Sequence, residues 1–417
     1  MRVSEPPRTG LSFDDVLLVP QRTPLTSRRQ ADTSSELLPG VVLRTPVISA
    51  NTQWCTGDRM AVAMALGGGL GVLHRMQTVD QQLAQLDAVK AHRPGDTGKT
   101  GEAGEAGEAG EAGEAGEAGE AGEPEKSGAD AGATCARDGR LLVGAAVGVT
   151  GDWRERAERL VEHAVDILFV DVAHGHSDQV IEAVAKLRAA YPGLPLVAGN
   201  VATAAGVADL AEAGADVVKV GIGPGGVCTT RLVAGTGVPQ LTAIMDCAAA
   251  AAERGVGVIA DGGIRESGDI AKSLAAGAHA VMLGSALAGA DESAATPVTR
   301  NGRAYKVSNG FVSLGMKLTL RHAAGEKITR EEVDDYVPEG TEATFPASGP
   351  VARTLRRLMG GVQSAISYSG ARDVAGFRER AEFIRVTSAG RAENRPHARE
   401  RSEQIDIDHV SRAVGDE

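Results

Sequence analysis

The chain has 417 residues, of which 42% are apolar and only 3% aromatic, and its formal net charge is −12. That length allows a large buried core, as one long α/β domain or two to three shorter ones. No apolar run is long enough to span a bilayer, and no basic stripe or aromatic platform suggests a nucleic-acid surface. The opening MRVSEPPRTG lacks the hydrophobic core of a signal peptide. Cys55, Cys135, Cys228 and Cys247 show neither paired nor metal-like spacing, so a reducing cytoplasm is the expected compartment.

In chain order, apolar runs with strand character cover Pro46–Ala50, Gly69–His74, Leu141–Val147, Ile167–Ala173, Leu194–Asn200, Val217–Ile222, Gly257–Asp261 and Ala280–Gly284. Helical stretches intervene, among them Val79–His92, Trp153–Ala164, Asp178–Tyr191 and Gln240–Arg254. Alternation of this kind with buried strands predicts a parallel sheet covered by helices, and about eight such units predict a (β/α)8 TIM barrel. A doubly wound open sheet is the competitor, but no GxGxxG opens a helix after a first strand.

Residues 101–121 interrupt the alternation with an unbroken Gly-Glu-Ala repeat. The eight glutamates from Glu102 to Glu123 carry most of the net charge, which is −4 without them. Each glycine costs a helix about 1 kcal/mol relative to alanine, and the like charges repel. A flexible polar linker over 95–138 is therefore predicted. It divides the barrel sequence into 1–94 and 139–395, with a polar tail at 396–417.

One loop concentrates the chemistry. Gly223-Pro224-Gly225-Gly226-Val227-Cys228-Thr229-Thr230-Arg231 follows the sixth predicted strand, at the carboxyl end where barrels place their active sites. Its glycines leave backbone groups free to meet a ligand, and a cysteine thiolate there is a candidate nucleophile. Continued through Val238-Pro239-Gln240, this loop resembles the catalytic loop of the IMP dehydrogenase/GMP reductase family. Further matches keep the family's order: Leu11–Pro20, Asp171–His176, Ala198–Val201, Ala260–Ile264, Met282–Ser285, Val337–Gly340 and Glu382–Thr387. In typical IMP dehydrogenases a pair of nucleotide-sensing modules is inserted where this chain has its polar linker.

The resemblance implies a role for each matching residue. Cys228 attacks the purine at C2, and Thr230 with Glu339 relays a proton to release the product. Arg321, in the mobile flap expected at 310–340, is the nearest stand-in for a catalytic Arg-Tyr pair, with Arg330 a second candidate. Substrate contacts are expected from Ser49, Asn200, Gly226, Asp261 and Glu339, with phosphate held by Gly262, Gly263, Gly284 and Ser285. Asp171, Gly221 and Gly223 are expected at NAD. Carbonyls of Gly223, Gly225 and Cys228 are expected around potassium, with Glu393 and Asn394 of a neighbouring subunit completing the site of a homotetramer. His174 and His176, spaced i, i+2 without a third ligand, are read as residues of the pocket rim.

Three positions depart from the family pattern. Gly226 replaces a serine, Asn51-Thr52-Gln53 replaces Pro-Met-Asp, and the segment Tyr305–Phe311 lacks the usual tyrosine and Gly-Met pair. The length of the flap and the sequence Ala381–Gly390 favour an NAD-dependent IMP dehydrogenase. A GMP reductase and a non-catalytic nucleotide-binding paralogue are the alternatives.

Overall fold

A computed structural model describes residues 7–95, 132–308 and 340–394. Eight parallel strands close into a barrel in sequence order. They are β1 (Val47–Ser49), β2 (Leu70–Leu73), β3 (Val143–Val147), β4 (Ile167–Asp171), β5 (Leu196–Val201), β6 (Val217–Val220), β7 (Gly257–Asp261) and β8 (Ala280–Leu283). Closure comes from Val281–Leu283 of β8 pairing with Val47–Ser49 of β1. The predicted barrel and all eight strands are present, and the open-sheet alternative is excluded.

Nearly every strand residue is buried, which explains why these strands read as continuous apolar runs. Phe169, Leu70, Leu73 and Ile48 are among the largest fully buried side chains. Each such side chain stabilises the fold by about 1.5–3 kcal/mol.

The outer layer comprises α1 (Asp58–Leu66), α2 (Val79–Lys90), α3 (Trp153–Glu162), α4 (Asp178–Ala190), α5 (Ala204–Glu212), α6 (Gln240–Ala252), α7 (Ser267–Ala275) and α8 (Val351–Tyr368). Local signals start several of them. Thr78 accepts from the Gln81 N–H at the head of α2, and the Gln81 side chain returns the bond to the Thr78 N–H. In α8, Val351, Leu355, Leu358, Val362 and Ile366 recur at helical spacing and form its buried face.

Accessory strands close the rest. A hairpin of Ser35–Leu38 and Val41–Leu43 packs where β7 begins, with the Leu37 carbonyl against Gly257. Val16–Leu18 pairs antiparallel with Phe383–Arg385, joining the two ends of the described chain. After β8, Thr296–Arg300, Arg303–Ser308 and Ala343–Pro346 form an antiparallel sheet beside the carboxyl end of the barrel. The repeat at 101–121, most of the expected flap and the tail lie outside the described residues.

Candidate active site

Three polar side chains converge on one amine at the carboxyl end of the barrel. Lys219 sits in the middle of β6, almost wholly buried, where the strand's alternation points it into the barrel. Its Nζ lies 2.6 Å from Asp171 Oδ1 and 2.5 Å from Asp261 Oδ2, and it also donates to Asn200 Oδ1. Asp171 and Asp261 are the last residues of β4 and β7. Burial alone disfavours the ammonium, but the two carboxylates outweigh it and hold the Lys219 pKa above the ordinary lysine value. The amine is therefore a fixed cation that keeps two acidic groups together.

Other amides lock these carboxylates in place. Asn51 Nδ2 donates to Asp171 Oδ2 at 2.9 Å, and Asn200 Nδ2 donates to Asp261 Oδ2 at 2.9 Å and to the Gly221 carbonyl at 2.8 Å. Gln240, opening α6, donates to the carbonyls of Val220 and Asp261. Gly221 has φ +151°, and a Cβ there would lie 1.9 Å from the Asp261 carbonyl oxygen. Only glycine lets the loop after β6 descend onto the end of β7.

The loop then carries Cys228 over the barrel mouth. The Cys228 N–H donates to the Gly225 carbonyl at 3.1 Å, closing a turn. Its Sγ lies 3.2 Å from Thr230 Oγ1. Across the loop, Gly340 forms an isolated antiparallel bridge with Cys228, and the Thr341 N–H donates to the Val227 carbonyl at 2.9 Å. A single cavity is lined by this loop, by Asp171, Asn200, Lys219 and Asp261, and by the glycine turns at 262–263 and 284–285. A thiol, a hydroxyl, two carboxylates and two glycine turns in one cleft suit covalent chemistry on a polar ligand.

A family model described as the IMP dehydrogenase/GMP reductase domain matches residues 10–397. The chain belongs to the IMP dehydrogenase/GMP reductase family. It is 37% identical to the inosine-5'-monophosphate dehydrogenase of Nitrosopumilus maritimus, over 94% of this chain and 98% of that protein. With the inosine-5'-monophosphate dehydrogenase of Bacillus subtilis it shares 39% identity, over 94% of this chain and 96% of that protein. Among solved structures, a single-residue variant of GMP reductase from Trypanosoma brucei, in complex with guanosine 5'-monophosphate, superposes with a TM-score of 0.81. That match has 32% identity and covers 95% of this chain and 98% of the other.

Within this family fold, the cavity gathers most of the residues singled out from the sequence. Cys228, Thr230, Asn200, Gly226, Asp261, Gly262, Gly263, Gly284, Ser285, Asp171, Gly221, Gly223 and Gly225 all line it. Glu339 and Arg321 lie outside the described residues, although Gly340, the next residue after Glu339, is paired with Cys228. Ser49 is a correction. It is fully buried, its hydroxyl accepts from Thr56 Oγ1 at 2.8 Å, and it is absent from the cavity wall. Of the two histidines, His174 is exposed and His176 Nε2 contacts Asp209 Oδ2 at 2.7 Å, while Val172 and Ala173 just before them line the cavity.

A Cβ on Gly226 would sit 2.7 Å from Ser285 Oγ, so the Ser285 hydroxyl fills the space beside that glycine. The sequence alone assigned no site role to Lys219, Asn51, Gln240 or Trp54. For Lys219 the signal was visible, since a lone lysine inside the buried run Val217-Val218-Lys219-Val220 demands acidic partners. Asn51 and Trp54 carried no such signal, because only the fold brings them to Asp171 and to the cavity.

Proposed function

We propose that the chain is an NAD-dependent IMP dehydrogenase acting through covalent catalysis by Cys228. The observation that carries this reading is the Cys228 thiol at 3.2 Å from the Thr230 hydroxyl, over a cavity whose far wall holds Asp261 and Asp171. The named relatives at 37–39% identity support the dehydrogenase, and their reaction is taken here as the model for this chain.

In this mechanism the nucleotide ribose donates its hydroxyls to Asp261, and the phosphate lies on the N–H groups of Gly262, Gly263, Gly284 and Ser285. The Cys228 thiolate forms a bond to C2 of the hypoxanthine, making that carbon tetrahedral so that it can release hydride. A bound nicotinamide dinucleotide supplies the hydride acceptor. Asp171 fits a ribose of that dinucleotide: its two oxygens are held by Lys219 and Asn51, yet each keeps a lone pair for a further hydroxyl. Thr230 then takes a proton from water, passing it to Glu339, as the oxygen bonds to C2 and the carbon–sulfur bond breaks. The products are xanthosine 5'-monophosphate and the regenerated Cys228 thiolate, with the water's proton left on Glu339.

Potassium would be held by the carbonyls of Gly223, Gly225 and Cys228. The Gly225 carbonyl already accepts from the Cys228 N–H, so it offers the cation only its second lone pair. Residues 95–138 stand in place of the paired regulatory modules. The alignment with the Nitrosopumilus relative spans 470 positions, more than the 417 residues here, so that protein has residues with no counterpart in this chain. A homotetramer in the cytoplasm completes the reading. No helix among the described residues is long and apolar enough to cross a membrane.

The second reading is a GMP reductase, favoured by the likeness to the Trypanosoma structure. Two assays separate them. With IMP, NAD and potassium, the dehydrogenase produces NADH absorbance, and its absence would reject the first reading. With GMP and NADPH, a reductase consumes the dinucleotide and releases ammonia. Purine nucleotide binding without turnover under either condition would identify a non-catalytic paralogue.

A further inference from the structure

The Cys228 loop leaves β6 through Ile222 and Gly223 and reaches α6 through Gly237 and Val238, and the side chain of Arg231 joins these two ends. A Cβ on Gly223 would lie 2.5 Å from Arg231 Cγ, and a Cβ on Gly237 would lie 2.8 Å from Arg231 Nε. The arginine stem therefore passes directly against both glycines, whose φ values of +84° and +151° a larger residue would rarely adopt. Beyond them, Nη2 donates to the Val238 carbonyl at 2.6 Å. The ends also meet through their backbones, since a Cβ on Gly237 would be 2.9 Å from the Ile222 carbonyl oxygen. A segment whose ends meet and whose own side chain fills the gap is an Ω-loop.

Arg231 has no part in the chemistry assigned above. Among the described residues, Cys228 and Thr230 line the cavity and Arg231 does not. Its head is exposed while its stem is packed, a division common in long cationic side chains. Its place in the chain gives it leverage. Arg231 follows Thr230 directly, and both belong to the short helical turn Thr230–Val233. There the Val233 N–H donates to the Thr229 carbonyl at 2.9 Å and the Ala234 N–H to the Thr230 carbonyl at 2.8 Å. The other limb of the loop rests on the turn after β7, where a Cβ on Gly262 would meet Pro224 Cγ at 3.0 Å. The contact of 3.2 Å between Cys228 Sγ and Thr230 Oγ1 joins the two limbs.

We propose that Arg231 is a positioning residue, clasping the two ends of the loop and thereby holding the Thr230 hydroxyl beside the Cys228 thiol. This rests on the roles proposed above for Cys228 and Thr230. Displacing a reacting group by about 1 Å can cost on the order of 100-fold in rate. A clasp outside the cavity therefore acts on kcat and leaves nucleotide affinity nearly untouched.

The test uses the full chain with Arg231→Ala, which removes stem and donor, and Arg231→Lys, which keeps a stem and a charged donor. In the Ala variant, amides of residues 222–238 should exchange with deuterium about 10-fold faster, while the barrel strands keep their protection. Alkylation of Cys228 by iodoacetamide, read on its peptide by mass spectrometry, should quicken about 5-fold as the loop opens. In whichever of the two assays above shows turnover, kcat should fall about 30-fold with KM for the nucleotide within about 3-fold. The Lys variant should recover most of the exchange protection and of kcat.

Unchanged exchange over 222–238, or unchanged alkylation of Cys228, in the Ala variant overturns the proposal. A loss expressed in KM rather than kcat places Arg231 at the ligand and also overturns it, as does exchange that rises throughout the barrel. Failure of Arg231→Lys to restore protection overturns the clasp. If the unaltered chain turns over neither IMP nor GMP, the functional reading fails by itself, while exchange and alkylation still decide the role of Arg231.

Discussion

The two ends of the barrel solve opposite problems with the same eight strands. Below the start of β7, the hairpin containing Leu37 covers the strand origins with apolar side chains and backbone contact, and Leu37 is 1% exposed. At the other end, β4 and β7 finish in aspartates, β6 carries a buried lysine, and the loops are rich in glycine. One end is built to exclude water, the other to hold charge in a cleft. Barrels tolerate this division because loops at the carboxyl end can change without disturbing the packed strands. Stability and chemistry are thus separable by position, and each can be struck without the other.

The strongest blow is Cys228→Ala. If Cys228 is the nucleophile, as proposed, its loss should lower turnover on the order of 10⁴-fold or more while thermal stability stays within error, as followed by NADH absorbance and calorimetry. Comparable activity in that variant would remove Cys228 from the chemistry. Next comes Lys219→Met, which leaves Asp171 and Asp261 facing each other without their cation. Removing one member of a buried ionic cluster costs about 3–5 kcal/mol, so kcat/KM should fall at least ~100-fold and the thermal midpoint should drop as well. Lys219→Arg keeps the charge and should recover part of the stability. A Met variant with full stability would show that the carboxylates need no cation.

At the opposite end, Leu37→Ala should cost about 2–4 kcal/mol by creating a cavity, read from denaturant unfolding. Its activity per folded molecule should be unchanged. An equal loss of activity would show that the two ends are coupled. Acid acts more diffusely. Burial, reinforced by Arg156 beside His74 and Arg378 beside His279, lowers both imidazole pKa values from 6.5 to about 4. The unfolded chain therefore binds these protons first. The stability from the neutral rings is fully present above about pH 6.5 and is lost as pH falls toward about 4. Thermal midpoints measured from pH 7 to 4 should decline by an amount equivalent to a few kcal/mol in total, and His279→Gln should flatten part of that decline. The smallest effect is expected from deleting residues 101–121. A polar Gly-Glu-Ala segment buries little, so stability should shift by no more than ~0.5 kcal/mol and turnover should persist.

The barrel was legible in the chain because parallel strands covered on both faces leave an unmistakable trace. Val217–Val220 and Val143–Val147 are apolar at nearly every position and are separated by helical stretches. The Cys228 loop was legible for a related reason: Gly223, Gly225 and Gly226 around the cysteine mark a backbone that can bend tightly over the barrel mouth. Ser49 misled, since its place at the end of β1 does not show which way the hydroxyl turns, and Thr56 claims it inside the wall.

From residue order alone came the fold, its family and the thiol, because periodicity and local glycine chemistry act over a few neighbouring positions. Tertiary structure alone decided that Lys219 bridges Asp171 and Asp261, 48 and 42 residues away along the chain. It also decided that Asn51, from the first strand's loop, restrains an aspartate on the fourth. Such contacts depend on barrel closure and on the side of each strand that faces inward. Buried charges reveal their partners only after the chain has enclosed them in a medium too apolar to leave them unpaired.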